Sequence, residues 1–127
     1  MILKKILLVD DDSSLNFIHK YILKDYAIDC QVDEALNGQE ALDQIAASGD
    51  CPDIIFLDIN MPILNGFDFL KEYESRGRCC EHSQVYMLTS SLREEDKVAA
   101  LSYKSVKGYY DKPLTADHLT SIMASAI

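Results

Sequence analysis

Carboxylates, hydroxyls and one lysine follow four short apolar segments of the chain. Carboxylate oxygens bind hard divalent cations, and a carboxylate can also act as a nucleophile toward phosphorus. An ammonium group neutralises the oxygens of a phosphoryl group. These residue types together indicate a phosphoryl-transfer site. They are Asp10, Asp11 and Asp12 after the first segment, Asp58 and Asn60 after the second, Thr89 and Ser90 after the third, and Lys112 after the fourth.

The four apolar segments are continuous rather than alternating in polarity. They cover residues 6–9, 54–57, 85–88 and 108–110, and a weaker apolar segment covers residues 30–35. Continuous apolar segments of this length are typical of strands that are covered on both faces, as in parallel sheets. The sequence therefore predicts five strands.

Amphipathic helical segments separate and follow the strands. Gly38–Ala47 and Asn65–Glu74 are two of them. For the first helix, Ser13 or Ser14 is the expected cap, with Leu15, Ile18 and Ile22 on the buried face. For the fourth, Ser91 and Glu94 form an expected capping box, with Val98 and Leu101 as its apolar anchors. Thr115 is the expected cap of the fifth helix.

The order of elements is a strand followed by a helix, five times. This alternation predicts an α/β domain with a parallel sheet and helices on both faces. In such sheets the active crevice lies beyond the carboxyl ends of the strands, so the polar residues named above should meet there. Several carboxylates repel one another at one point, which favours a compensating Mg²⁺ ion and the nearby ammonium group of Lys112.

Charge and composition exclude several functions. The 127 residues carry 21 acids and 12 bases, a net charge of −9, and the first 64 residues hold most of the excess. Binding to nucleic acid or to an anionic membrane needs clustered bases, so neither is expected. The chain contains no apolar run of 18 residues and no secretory signal pattern. It also lacks the glycine-rich loops that bind nucleotide phosphates.

The four cysteines lack the spacing of a zinc site or of a dense disulfide framework. They are Cys30, Cys51, Cys79 and Cys80. We expect reduced thiols in a cytoplasmic protein, and a zinc site built from Cys79, Cys80 and His82 is the less favoured alternative.

The sequence resembles the receiver domain of two-component response regulators, in the stand-alone form of chemotaxis and phosphorelay receivers. Five motifs carry the resemblance, in the family's order and spacing. They are ILLVDDD at 6–12, ALNGQEAL at 35–42, DIIFLDINMPILNGFDFL at 53–70, VYMLTSS at 85–91 and GYYDKPL at 108–114. The resemblance implies a doubly wound, flavodoxin-like fold with five parallel strands in the order 2-1-3-4-5 and five helices.

The resemblance also implies a role for each matching residue. Asp58 corresponds to the phosphoacceptor. Asp10, Asp11 and the backbone carbonyl of Asn60 correspond, with Asp58, to the ligands of Mg²⁺, for which Mn²⁺ can substitute. Thr89 and Lys112 correspond to the hydroxyl and the ammonium that contact the phosphoryl group. Tyr109 corresponds to the switch aromatic, and the Lys112–Pro113 peptide bond is expected to be cis.

The implied function is phosphoryl acceptance from a histidine kinase or a phosphotransfer protein, followed by a conformational switch. Such a protein catalyses its own phosphorylation and dephosphorylation but is not otherwise an enzyme. The expected output is binding to an unknown protein target through the face made by the fourth helix, fifth strand and fifth helix. We expect a single receiver domain over residues 1–127 without an effector domain, as a monomer or a weak phosphorylation-dependent dimer.

Three alternatives remain open. A Mg²⁺-dependent phosphohydrolase that forms an aspartyl phosphate would also place an Asp at a strand end. Such enzymes usually have a second Asp two residues later, where this chain has Asn60. The chain could also be a binding module that signals without phosphate, or a receiver fragment of a longer regulator.

Overall fold

The structure is a computed structural model that describes residues 3–26 and 28–126. Five strands and five helices alternate along it. The strands are β1 (Lys5–Val9), β2 (Gln31–Ala35), β3 (Ile54–Leu57), β4 (Gln84–Thr89) and β5 (Val106–Asp111). The helices are α1 (Ser13–Asp25), α2 (Gly38–Ala47), α3 (Gly66–Arg76), α4 (Glu94–Leu101) and α5 (Ala116–Ala126).

The strands form one parallel sheet in the order β2-β1-β3-β4-β5. β1 and β3 pair from Ile6 with Ile54 to Val9 with Leu57, so both strands end at the same level. Because all strands run the same way, their carboxyl ends share one edge of the sheet. The predicted fold class and strand order are confirmed.

Successive side chains of the central strands enter two separate cores, because side chains alternate across a sheet. On one face, the core contains β3 residues Ile55 and Leu57 and side chains of α2, α3 and α4. On the other face, Ile54 and Phe56 pack with side chains of α1 and α5. Each strand therefore buries both faces, which explains its continuous apolar sequence.

The buried face of α1 differs from the prediction. Asp12, not Ser13 or Ser14, caps the helix, and its carboxylate accepts a hydrogen bond from Leu15 N at 3.1 Å. The buried residues are Asn16, His19 and Leu23, whereas Ile18 is exposed. The apolar pattern was misleading because the two buried polar side chains make hydrogen bonds inside the fold.

The start and the anchors of α4 were also predicted wrongly. Arg93 precedes the helix without a side-chain cap, and the hydroxyl of Ser91 instead donates to Asp96 Oδ2 at 2.7 Å. Val98 and Leu101 are 61% and 44% exposed, and Ala100 is the buried residue. α4 therefore rests on the sheet through a methyl group, because its larger apolar side chains point away from the core.

Other predicted details are confirmed. α2 has the predicted bounds, and the hydroxyl of Thr115 accepts a hydrogen bond from His118 N at the start of α5. The Lys112–Pro113 peptide bond is cis. No helix in the described parts of the chain is long and apolar enough to cross a membrane.

Two of the four cysteines are joined, contrary to the expectation of four reduced thiols. Cys51 in the α2–β3 loop forms a disulfide with Cys79 in the α3–β4 loop, while Cys30 and Cys80 are free. The prediction failed because the two residues are 28 positions apart, and the fold brings their loops together at the amino-terminal edge of the sheet.

A buried carboxylate stabilises that same edge. Asp53 accepts hydrogen bonds from the backbone amides of Lys4 and Lys5 at 2.7 and 3.0 Å, and it pairs with His82 at 2.7 Å. Burial alone would raise the pKa of Asp53, but these hydrogen bonds outweigh it and lower the pKa below its ordinary value. Asp53 therefore connects the start of β1 to the loop before β3.

Candidate functional site

Three carboxylates meet at the carboxyl edge of the sheet. Asp10 and Asp11 follow β1, and Asp58 follows β3. Each offers an oxygen, and these oxygens all lie within 4.8 Å of one another. Asp10 and Asp58 are buried, whereas Asp11 is exposed. The sheet register brings the three together because β1 and β3 are adjacent and end at the same level.

The ammonium group of Lys112 lies between the two buried carboxylates. Its Nζ is 2.6 Å from Asp10 Oδ2 and 2.9 Å from Asp58 Oδ2. Burial of Lys112 opposes its charge, but hydrogen bonds to Asp10 and Asp58 outweigh this and raise the pKa of Lys112. Lys112 therefore stays protonated and supplies a fixed positive charge beside Asp58.

Backbone contacts fix the orientation of both buried carboxylates. Ile59 N donates to Asp58 Oδ1 at 2.8 Å, and Asp12 N donates to Asp10 Oδ1 at 3.0 Å. In each residue the other oxygen, Oδ2, contacts Lys112. Both oxygens of each carboxylate therefore have a defined partner.

The loop after Asp58 depends on a glycine. Gly66 N donates to Ile59 O at 2.8 Å, and a Cβ at Gly66 would lie 2.3 Å from the carbonyl oxygen of Asp58. No larger residue fits without moving the backbone that carries Asp58. Asn60 lies in this loop, two residues after Asp58, and is exposed.

Thr89 and Tyr109 both contact the backbone of Ser91. Thr89 is fully buried at the end of β4, and its hydroxyl accepts a hydrogen bond from Ser91 N at 3.3 Å. Tyr109 is half-buried, and its hydroxyl donates to Ser91 O at 3.3 Å. Ser91 in turn donates to Asp96 in α4. The two predicted switch residues are therefore linked to α4 through one residue.

The donor set suits a hard divalent cation. Three carboxylates against one ammonium leave two uncompensated negative charges, which a divalent ion would balance. The donors are all oxygens, the type that Mg²⁺ and Mn²⁺ prefer over the sulfur and imidazole ligands of zinc. The residues present therefore fit the predicted cofactor.

Sequence reasoning missed two residues that support this site from α1. Asn16 donates from Nδ2 to the carbonyl oxygen of Asp10 at 3.0 Å, and His19 accepts a hydrogen bond from Leu114 N at 3.2 Å. Asn16 and His19 are three positions apart, so the sequence places these two polar residues on one helix face. The prediction of the buried face followed the apolar residues around them instead.

One known family matches nearly the whole chain. The sequence profile described as "Response regulator receiver domain" matches residues 6–124. The chain belongs to the response regulator receiver domain family. Receiver domains bind Mg²⁺ through acidic residues and interact with histidine kinases or phosphotransfer proteins, and this receiver domain has the acidic cluster of Asp10, Asp11 and Asp58.

Similar proteins include chemotaxis and kinase-linked receivers. Chemotaxis protein CheY-3 of Vibrio cholerae is 36% identical over 112 residues, which are 88% of this receiver domain and 82% of that protein. Hybrid signal transduction histidine kinase L of Dictyostelium discoideum is 31% identical over 127 residues. That match covers 96% of this chain but 7% of the kinase, so this receiver domain spans a small part of that relative.

A solved structure has nearly the same fold. The two-component response regulator from Cytophaga hutchinsonii superposes on this receiver domain with a TM-score of 0.90 and 29% sequence identity. The alignment covers 99% of this chain and 98% of that one.

Proposed function

We propose that Asp58 accepts a phosphoryl group from a phosphohistidine of a histidine kinase or a phosphotransfer protein. The supporting observation is the arrangement around Asp58, with Lys112 Nζ at 2.9 Å and the Asp10 and Asp11 carboxylates within 4.8 Å. A carboxylate that is oriented by a backbone amide and lies beside an ammonium group is prepared for attack on phosphorus, since the transfer needs positioning and charge neutralisation more than covalent chemistry.

In the proposed reaction an oxygen of Asp58 attacks phosphorus in line with the departing imidazole nitrogen. The phosphorus–nitrogen bond breaks as the phosphorus–oxygen bond forms, and the histidine of the donor takes up a proton. Lys112 stabilises the phosphoryl oxygens, which carry negative charge during transfer. A divalent cation bound by Asp10, Asp11 and Asp58 would add further charge neutralisation. Water later attacks the phosphorus of the acyl phosphate, which releases inorganic phosphate and regenerates the carboxylate of Asp58.

The conformational response involves Thr89, Ser91 and Tyr109. A hydroxyl that turns toward a phosphoryl oxygen at Asp58 gives up its bond to Ser91 N. Ser91 then shifts, and its contacts with Tyr109 and Asp96 shift with it. These contacts support a route from Asp58 to α4, which has few core contacts and is the element we propose as the moving part.

The proposed output surface is the α4–β5–α5 face. A cleft of about 330 Å³ lies there, lined by Lys97, Tyr109 and His118 among others. The rings of Tyr110 and His118 are in contact, with centroids 4.9 Å apart, while Lys104 and Lys107 are exposed nearby. A partner protein whose binding depends on Tyr109 and α4 would sense the phosphorylation state.

The remaining proposals rest on the family. We propose that this receiver domain is cytoplasmic and acts as a monomer or a weak phosphorylation-dependent dimer. We propose that its target is a protein and not a nucleic acid. We propose that it catalyses only its own phosphorylation and its own dephosphorylation. The match to the Dictyostelium kinase covers a small part of that protein, so a receiver of this kind can also belong to a longer protein. Such a role is a second possibility for this chain.

Labelling with radioactive acetyl phosphate and Mg²⁺ tests the central claim. The unaltered protein should become labelled, and Asp58→Asn should remove the label because amide nitrogen and oxygen are poor nucleophiles. Asp50→Asn is the matched control, since Asp50 is exposed and precedes β3, whereas Asp58 follows β3 at the opposite edge of the sheet. Unchanged labelling of Asp58→Asn would contradict the proposal, and rapid turnover of phosphate esters would favour a phosphohydrolase instead.

A further inference from the structure

A buried histidine in α1 lies beside the proposed site without a role in the reaction. His19 is 1% exposed and belongs to the same helix face as Asn16 and Leu23. A buried histidine is costly in free energy unless its ring nitrogens have hydrogen-bond partners.

The ring of His19 accepts a hydrogen bond from the loop between β5 and α5. Leu114 N donates to His19 Nε2 at 3.2 Å. A backbone N–H can only donate, so Nε2 carries no proton and His19 is neutral. Burial lowers the pKa of His19, with partial opposition from Asp10, and this favours the neutral ring.

Leu114 follows Lys112 by two residues, so this bond fixes the loop that carries the lysine. At its other end the loop is held by Lys112 N, which donates to Thr89 O at 3.1 Å. The loop is thus attached to β4 on one side and to α1 on the other. Between these attachments the Lys112 side chain reaches Asp10 and Asp58.

The same helix face also holds the acidic side of the site. Asn16, one turn before His19, donates to Asp10 O at 3.0 Å. Two buried polar residues of α1, one turn apart, therefore contact the backbone of Asp10 and the backbone two residues after Lys112. An apolar residue at position 19 would leave the Leu114 amide without this acceptor.

We propose that His19 is a positioning residue for Lys112: its Nε2 fixes the β5–α5 loop so that the ammonium group lies between Asp10 and Asp58. This inference rests on the proposed phosphorylation of Asp58. If the loop moved by about 1 Å, the Lys112 ammonium would neutralise the phosphoryl oxygens less well during transfer. Transfer rates fall steeply with such displacements.

The test compares two substitutions of His19. His19→Leu keeps the volume but removes the acceptor, and His19→Gln keeps an acceptor oxygen close to the position of Nε2. We expect His19→Leu to lower the rate of labelling by acetyl phosphate about tenfold. His19→Gln should restore it to within about threefold of the unaltered protein. The exchange rate of the Leu114 amide, read by NMR, should rise in His19→Leu and not in His19→Gln.

Two further variants separate positioning from general destabilisation. In a Lys112→Ala background, His19→Leu should cause no further loss, because the residue then has no lysine to position. Leu23→Ala disturbs the packing of α1 but keeps both groups of the His19–Leu114 hydrogen bond, so its labelling rate should stay near that of the unaltered protein.

The possible results are distinguishable. A normal rate in His19→Leu, an equal loss in the Lys112→Ala background or an equal loss in Leu23→Ala would overturn the inference while leaving the proposed function standing. A failure of the unaltered protein to accept phosphate would overturn the proposed function. Leu114 exchange that is unchanged in His19→Leu would then overturn the positioning contact as well.

Discussion

At the scale of single residues, the position of Asp58 depends on atoms that carry no charge. Gly66 leaves room for the carbonyl oxygen of Asp58, and Ile59 N orients its carboxylate. Sequence motifs identify the charged residues of such a site easily. The groups that hold them in place are harder to recognise, because their role depends on close approach rather than on chemistry.

Gly66→Ala should destabilise the protein and slow its labelling. The added methyl group would lie 2.3 Å from Asp58 O, so the β3–α3 loop must move. We expect a loss of about 1–3 kcal/mol in the free energy of unfolding, as for other overpacked sites. Urea denaturation measures it. Gly49→Ala is the control, because nothing lies within 4 Å of its Cβ and its stability should stay within about 0.5 kcal/mol.

Asp53→Asn should destabilise the protein at neutral pH and have less effect in acid. The folded-state pKa of Asp53 is lowered, so its contribution is complete above the ordinary Asp value of about 3.9 and is lost as pH falls through the folded value. We expect a cost of about 1–3 kcal/mol at pH 7, because the amides of Lys4 and Lys5 lose a charged acceptor.

Urea denaturation of the Asp53→Asn variant between about pH 7 and pH 3 measures this effect. The exposed residue Asp50 supplies the control: Asp50→Asn should change stability little at any pH. A difference between Asp53→Asn and the unaltered protein that stays constant down to pH 3 would show that the charge of Asp53 contributes nothing.

At the scale of elements, α4 differs from the other helices in how it is anchored. Its buried residue is Ala100, whereas α3 buries Phe69, Leu70 and Tyr73. Ser91 joins α4 to Thr89 and Tyr109 through hydrogen bonds rather than through apolar packing. An element held in this way can move at low cost in free energy.

Hydrogen exchange should detect that movement. We expect amide protection in residues 91–103 to change several-fold when a phosphoryl mimic such as beryllofluoride binds at Asp58, because the mimic draws Thr89 away from Ser91. Protection in α2 should remain constant and serves as the internal control. Identical protection of residues 91–103 with and without the mimic would count against α4 as the moving part.

The residue and element scales also differ in what the sequence predicted. The strands, α2 and the residues at the strand ends were predicted correctly, since local apolar runs and capping residues specify them. The buried faces of α1 and α4 were not. In α1 the buried side chains include two polar residues, Asn16 and His19, and the partner of His19, Leu114, is distant in sequence. In α4 the larger apolar side chains face outward.

At the scale of the whole molecule, the candidate site and several stabilising contacts lie at opposite edges of the sheet. The carboxyl edge holds the carboxylate cluster and Lys112, which pairs with two of its members. The amino edge holds the Asp53 contacts and the Cys51–Cys79 disulfide. The disulfide and the Asp53 contacts therefore stabilise the fold at a distance from the charged residues of the candidate site.

Reduction of the disulfide should lower the stability of the protein. Cys51 and Cys79 are 28 positions apart. A disulfide that closes a loop of this length lowers the entropy of the unfolded chain, which adds about 3–4 kcal/mol to the free energy of unfolding. The urea midpoint should fall when a dithiol reductant is added. Cys51→Ser should have the low midpoint with or without reductant, whereas Cys30→Ser should respond like the unaltered protein.

An unaltered protein whose midpoint is the same with and without reductant would contradict this prediction. The result also bears on the proposed location. Cytoplasmic thiols are usually kept reduced, so in a cytoplasmic protein the added stability would be absent under normal conditions and present under oxidising ones.

The sequence by itself determined the fold class and which polar residues lie at the carboxyl edge of the sheet. Apolar strands that end in Asp10, Asp11, Asp58, Thr89 and Lys112 leave little choice, because parallel strands bring their carboxyl ends to one edge. Tertiary structure alone decided which distant residues touch. It placed Lys112 between two carboxylates, joined Cys51 to Cys79 and set His19 against Leu114. Such pairings depend on the packing of whole elements, which no local pattern records.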